Sequence, residues 1–188
     1  PRLGYKYLKT LRDNALGNFK DLVEEMTIDT AMLRYLNGDQ NSVGRANENY
    51  ARELLELFTI GKGPQIGPGN YTNYTEDDVL EAAKVLTGWV ISGARNGDTN
   101  PIAPAFVANR HDTTTKQFSA AFGNQTISDN ADQEYKDLIN MIFAQAETAR
   151  YIVRKLYRWF VYYHIDATIE NDVIDPLAQL LITNNFEI

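Results

Sequence analysis

The 188-residue sequence contains no cysteine. That excludes a disulfide scaffold, a thiolate zinc site and a cysteine nucleophile, and it leaves the compartment open. Histidine is almost as scarce, with only His111 and His164. No stretch approaches the roughly 18 apolar residues of a membrane-spanning helix. Residues 1–20 carry five Lys or Arg and no apolar run, so they do not read as a signal peptide. An excess of positive charge is missing as well. The formal net charge is −7, whereas a nucleic-acid binder shows a basic face, so nucleic acid is not expected as a partner. There is no Gly-x-Ser-x-Gly, no phosphate-binding loop and no dinucleotide fingerprint.

The residues that are present read as globular, with 44% hydrophobic and 11% aromatic content. The length fits one domain, taken as residues 1–188. Residues 1–20 sum to about +4 and residues 150–158 to +4, which leaves about −15 elsewhere.

Helical periodicity runs through Leu8, Leu11, Ala15, Phe19, Leu22 and Met26, with Gly17 as a joint. Ala31–Leu36 reads as a further helix capped by Asp29 or Thr30. After the turn-rich loop 37–44 comes "NENYARELLELFTIG", with Asn47 as a cap and Gly61 past its end. Its expected core face is Tyr50, Leu54, Leu57 and Phe58. "GKGPQIGPGN" (61–70) excludes a helix or a central strand. Thr75 then opens an acidic-first helix with Val79, Ala83 and Leu86 inward. Between residues 90 and 130 the period disappears, and this polar insertion is expected to hold a small β-hairpin. Helices return through Tyr135–Phe143 and Ala149–Phe160, and a last one carries Leu177, Leu180 and Leu181 with Pro176 near its start. The expected fold is mainly α, an irregular helical bundle with one long polar insertion.

Four constellations bear on function. Glu48, Arg52 and Glu56 share a helix face at i, i+4 and i+8, with Glu53 beside them. Glu53 and Glu56 are close enough to bind a divalent metal or share a proton. The competing reading is a structural charge network in which this stripe docks against Arg150, Arg154 and Arg158, at the same spacing. His111 and Asp112, with Lys116 nearby, could form a ligand pair or a general base with its orienter; the alternative is an Asx-type turn at Asp112 with His111 packing beside it. Asn37, Asp39, Asn41 and Glu48 have calcium-loop spacing, weakened by Asn at the first position and Ser42 where Gly is wanted. Finally, the Tyr and Trp clusters could line a carbohydrate-binding cleft.

The segments "ALGNF", "AMLRYLNG", "NENYARELLELFTIG", "LTGW", "HD" with Lys116, and "TARYIVRKLYRWFV" occur in this order. Together they make the chain resemble the bacterial domain-of-unknown-function family numbered 1800. The resemblance implies a central fragment of a longer protein, whose missing N- and C-terminal parts would pack on it. It also implies export, to the periplasm or outside the cell. It supplies no activity. Two expectations follow: a scaffold that meets a protein partner or a glycan, or a metal-assisted hydrolase using the glutamates with His111 and Asp112.

Overall fold

The computed structural model describes residues 2–93 and 102–188. The N-terminal periodic run resolves into α1 (Arg2–Asp13) and α2 (Phe19–Thr27), jointed around Gly17. Asn18 caps α2 by accepting the Lys20 and Asp21 N–H groups, and Asp29 does the same at Ala31 and Met32 for α3 (Thr30–Tyr35). Leu8, expected on the buried face, is 65% exposed.

The glutamate helix departs from its expected register. α4 (Asn49–Glu53) runs without a break into a π turn, Leu54–Thr59. Bonds from i to i−5 add a residue to the turn and shift the helical phase. Leu54, Leu55 and Thr59 consequently face inward, while Leu57 is 45% exposed. Gly61 ends the helix at φ +70°, its N–H donating to Leu55 O at 2.8 Å. A Cβ at Gly61 would stand 2.4 Å from the Tyr151 ring, so glycine is what lets the two segments approach.

α5 (Glu76–Val85) begins with a capping box, in which Thr75 and Asp78 each accept from the other's backbone N–H. Three antiparallel hairpins follow the sheet-forming segments. β1 (Gln65–Gly67) pairs with β2 (Asn70–Tyr71), β3 (Trp89–Ser92) with β4 (Ala103–Phe106), and β5 (Lys116–Gln117) with β6 (Thr126–Ile127). The last of these is the hairpin expected in the insertion. Residues 94–101 of that insertion lie outside the described residues. The remainder of the insertion is not a detached loop. Phe118, Phe122 and Ile127 belong to the same buried cluster as Val79, Leu138 and Ile142.

α6 (Glu134–Phe143) and α7 (Ala146–Phe160) complete the base. The last helical stretch is α8 (Ala167–Ile169), a π turn (Glu170–Ile174) and α9 (Asp175–Thr183), with Pro176 in the first turn of α9. The C-terminal segment returns to the start of α2, where the Phe19 N–H donates to Phe186 O at 2.9 Å. Phe186 is buried against Phe143, ring centroids 4.7 Å apart. The architecture is mainly α with small two-stranded sheets. No helix among the described residues is long and apolar enough to cross a membrane.

Candidate functional site

Three ionisable side chains meet beneath the insertion, all almost sealed from solvent. Lys116 on β5 and Glu134 at the start of α6 have no exposure, and the His111 side chain is 2% exposed. The Lys116 ammonium lies 2.6 Å from Glu134 Oε1. It also donates to the Asp112 backbone carbonyl. His111 Nε2 lies 2.9 Å from Glu134 Oε2 and 3.6 Å from Oδ1 of the half-exposed Asp129. The Asn130 N–H points at Glu134 Oε2 from 3.4 Å.

Local structure explains why these groups converge. α5 is followed by the turn Leu86, Thr87 and Gly88, and Gly88 leads the chain at φ +96° into β3. The Thr87 hydroxyl donates to Lys84 O at 2.7 Å and accepts the Asp112 N–H at 2.8 Å. His111 Nδ1 lies 3.0 Å from Thr87 O. A carbonyl can only accept, so Nδ1 carries a proton and donates to it. The imidazole is thereby fixed with Nε2 toward the carboxylates. Phe106 packs against the ring, centroids 5.2 Å apart.

The sequence candidates divide among different partners. Asp112, the neighbour of His111, turns away and accepts the Thr114 N–H at 2.9 Å and its hydroxyl at 2.5 Å, which is an Asx-type turn. Burial works to raise its carboxyl, but the Thr114 hydrogen bonds and Lys116 outweigh that and hold it below the ordinary range. Glu56 pairs with Lys62 at 2.7 Å and accepts the Tyr74 hydroxyl at 3.4 Å. Glu53 makes no ion pair among the described residues. Among those residues, the group of metal-ligating side chains that comes together is His111, Asp129 and Glu134, with donor atoms within 4.8 Å of one another. Glu53, Glu56 and Asp112 are not in it, so the expected joint site of glutamates with His111 and Asp112 does not assemble.

The expected docking of two opposite stripes also takes another form. Arg52 pairs locally with Glu48 at 3.0 Å, and its other partner is Glu76 on α5, held by two bonds of 2.6 and 2.8 Å. Arg154 binds Glu147 and Glu170, and Arg150 binds Asp175 at 2.6 Å. The Glu170 and Asp175 contacts tie α7 to the π turn after α8 and to the start of α9, and not to α4. Arg158 is exposed and makes no ion pair among the described residues. The π turn after α4 meets α7 instead, through the Tyr151 hydroxyl, which donates to Glu56 O at 2.9 Å, and through Lys155, which donates to Leu57 O. Burial lowers the pKa of that lysine.

The calcium-spaced loop has its side chains engaged elsewhere. Buried Asn41 donates to Ala83 O and accepts the Asn47 N–H, both at 2.8 Å. Asp39 pairs with Arg34 at 3.1 Å, Glu48 pairs with Arg52, and Asn37 sits in a left-handed turn at φ 58° accepting from Gln40. The loop is a polar joint between helices.

A second surface feature lies at the far end of α7. Trp159, Phe160, Val161, Tyr162 and Tyr163 are 54–83% exposed. Beside them a groove of about 500 Å³ runs between α7 and α9, lined by Leu156, Phe160, Val161, Leu177 and Leu180. A neighbouring cavity of about 320 Å³, lined by Tyr7, Leu11, Phe58 and Ile152, shares Leu156 with it.

These features define a class: a mainly α domain whose polar insertion is pinned to its helical base by buried ionic contacts, with an open apolar face at one end. A family model described as "Protein of unknown function (DUF1800)" matches residues 1–188, and the chain belongs to that family. No curated protein and no solved structure matches it.

Sequence reasoning passed over Glu134, Asp129 and Thr87. Acids just before or at a helix start have an ordinary explanation in the helix dipole. Only the spatial approach of Lys116 and His111 gives Glu134 another role.

Proposed function

We propose that this domain is a scaffold and binding module that receives an amphipathic helix of a protein partner in the groove between α7 and α9. The observation that supports this reading is the exposure of Leu177 and Leu180 at 45% and 56%, beside Phe160 and Trp159 at 76% and 83%. Contiguous apolar surface of this kind marks an interaction site more often than a bare surface. Two packed helices with an apolar channel between them suit a third helix, read through anchors at i, i+3, i+4 and i+7. A glycan is the less suited ligand. Sugars need several converging polar groups, and the polar side chains of this groove are Asn184, Glu187 and the half-buried Tyr157, against nine apolar ones. The net charge of −7 favours a partner helix with basic residues on its outer face.

The test uses a synthetic Leu/Lys helical peptide with leucines at i, i+3, i+4 and i+7, titrated calorimetrically into the domain. Binding with a negative heat-capacity change is expected, because apolar area is buried. The double variant Leu177→Asp with Leu180→Asp should lose that binding and keep its melting temperature, since both positions are exposed. Equal binding by the variant, or none by the parent, would overturn the proposal.

A further inference from the structure

We propose that His111, Asp129 and Glu134 form a binding site for a divalent transition-metal ion of the zinc type. The geometry begins with His111. Its Nδ1 proton goes to Thr87 O, so a neutral ring turns the lone pair of Nε2 outward. That lone pair faces Glu134 Oε2 at 2.9 Å and Asp129 Oδ1 at 3.6 Å. Three electron-rich atoms therefore point at one another in a place where two of the three residues are buried. Something positive must stand between them, either a proton on Nε2 or a metal ion.

Three details favour the ion. Metal-ligating imidazoles characteristically donate their other N–H to a carbonyl or carboxylate, as His111 does to Thr87. Tetrahedral zinc, with bonds of about 2.0–2.2 Å, sets neighbouring donors about 3.3–3.6 Å apart. The distances of 2.9 and 3.6 Å bracket that spacing. Lys116, moreover, engages the opposite oxygen of Glu134, Oε1. It neutralises one end of the carboxylate and holds it in place, while Oε2 stays turned to His111. Asp129 is 42% exposed and borders an open cleft with Asn130, Asp137 and Asn140. That side gives the ion a route in and leaves the fourth position to water. Three protein ligands of mixed nitrogen and oxygen type suit zinc, cobalt or nickel better than calcium or magnesium.

The experiment removes metal from the purified domain with a chelator, dialyses the chelator away and titrates with zinc by calorimetry. Cobalt is added in parallel to give a visible ligand-field spectrum, and His111 is followed by nitrogen-15 NMR. One equivalent of zinc should bind, the cobalt form should show a four-coordinate band, and the His111 Nε2 resonance should shift. Asp129→Asn, at a half-exposed position that should fold normally, should weaken zinc roughly 100-fold or more. His164→Ala should bind like the parent. Glu134→Gln is the poorer probe, because it leaves Lys116 buried without its counter-charge. Absence of stoichiometric binding, with His111 protonated on both nitrogens and indifferent to zinc, would overturn the proposal. So would binding that Asp129→Asn leaves unchanged. Neither result bears on the groove between α7 and α9.

Discussion

Lys116 and Glu134 stand 18 residues apart in the chain and 2.6 Å apart in space, both at zero exposure. This contact joins β5 of the insertion to the first residue of α6. It makes the insertion part of the core, and it sets the terms for the site around His111. Removing water from two charges costs several kcal/mol per ion, and mutual attraction offsets that only while both are present.

Lys116→Met should therefore destabilise the domain by about 3–5 kcal/mol, because Glu134 is left charged and buried. Combining it with Glu134→Gln should recover most of that loss, since the amide can donate to His111 Nε2. Urea denaturation of the two single variants and the double measures the coupling. Additive losses would mean that the pair contributes no mutual stabilisation.

Asp78 is the second tie between the insertion and the helices. Its carboxylate accepts from the N–H and hydroxyl of Thr75 and from the N–H and hydroxyl of Ser119, at 2.7–3.0 Å. Asp78→Ala removes a helix cap and a set of charge-assisted bonds, so a loss of roughly 3 kcal/mol is expected. Hydrogen exchange should quicken at Ser119–Phe122 as well as at the start of α5. Change confined to α5 would show that the cap acts alone.

The Arg52–Glu76 pair gives a pH prediction. The hydrogen bond from Arg52 holds the Glu76 carboxyl below its ordinary value of 4.5. A depressed folded pKa means stability that is fully present above the unfolded value and lost as pH falls through the folded one. The parent should thus exceed Glu76→Gln in stability near neutrality, and the gap should close in acid. Glu76 is 42% exposed, so screening keeps the effect under about 1 kcal/mol. Parallel denaturation curves from neutral pH into acid check it, and a gap that widens in acid would contradict it.

Gly88 supports the histidine. It adopts φ +96°, and a Cβ there would meet Phe106 at 2.9 Å and His111 Cβ at 3.1 Å. Gly88→Ala is expected to cost about 2 kcal/mol or more through strain and crowding together. Nitrogen-15 NMR should report a displaced His111 ring, and an unmoved His111 signal would show that Phe106 absorbs the crowding.

Much of this protein is legible locally. The caps at Asp29 and Thr75, the joint near Gly17 and the periodic faces of α5 and α6 follow from interactions spanning four residues or fewer, so a linear sequence displays them; the end at Gly61 shows through the residue type that a left-handed φ favours. The pair Glu48–Arg52 is visible for the same reason. The π turn in Leu54–Thr59 is not, because propensity does not distinguish i−4 from i−5 bonding, and it rotated Leu57 outward against the expected register.

The site itself was decided in three dimensions. His111 stood out by rarity, and Lys116 by its place in a family segment. Their common partner Glu134 looked like an ordinary acid at a helix start until the fold removed water from around it. Arg52 likewise found Glu76, and Arg154 found Glu170, over separations that no helical spacing encodes. Composition and periodicity determined a mainly α chain with a polar insertion. Tertiary packing determined which charges were buried, and burial is what turns a carboxylate, an ammonium and an imidazole into a site.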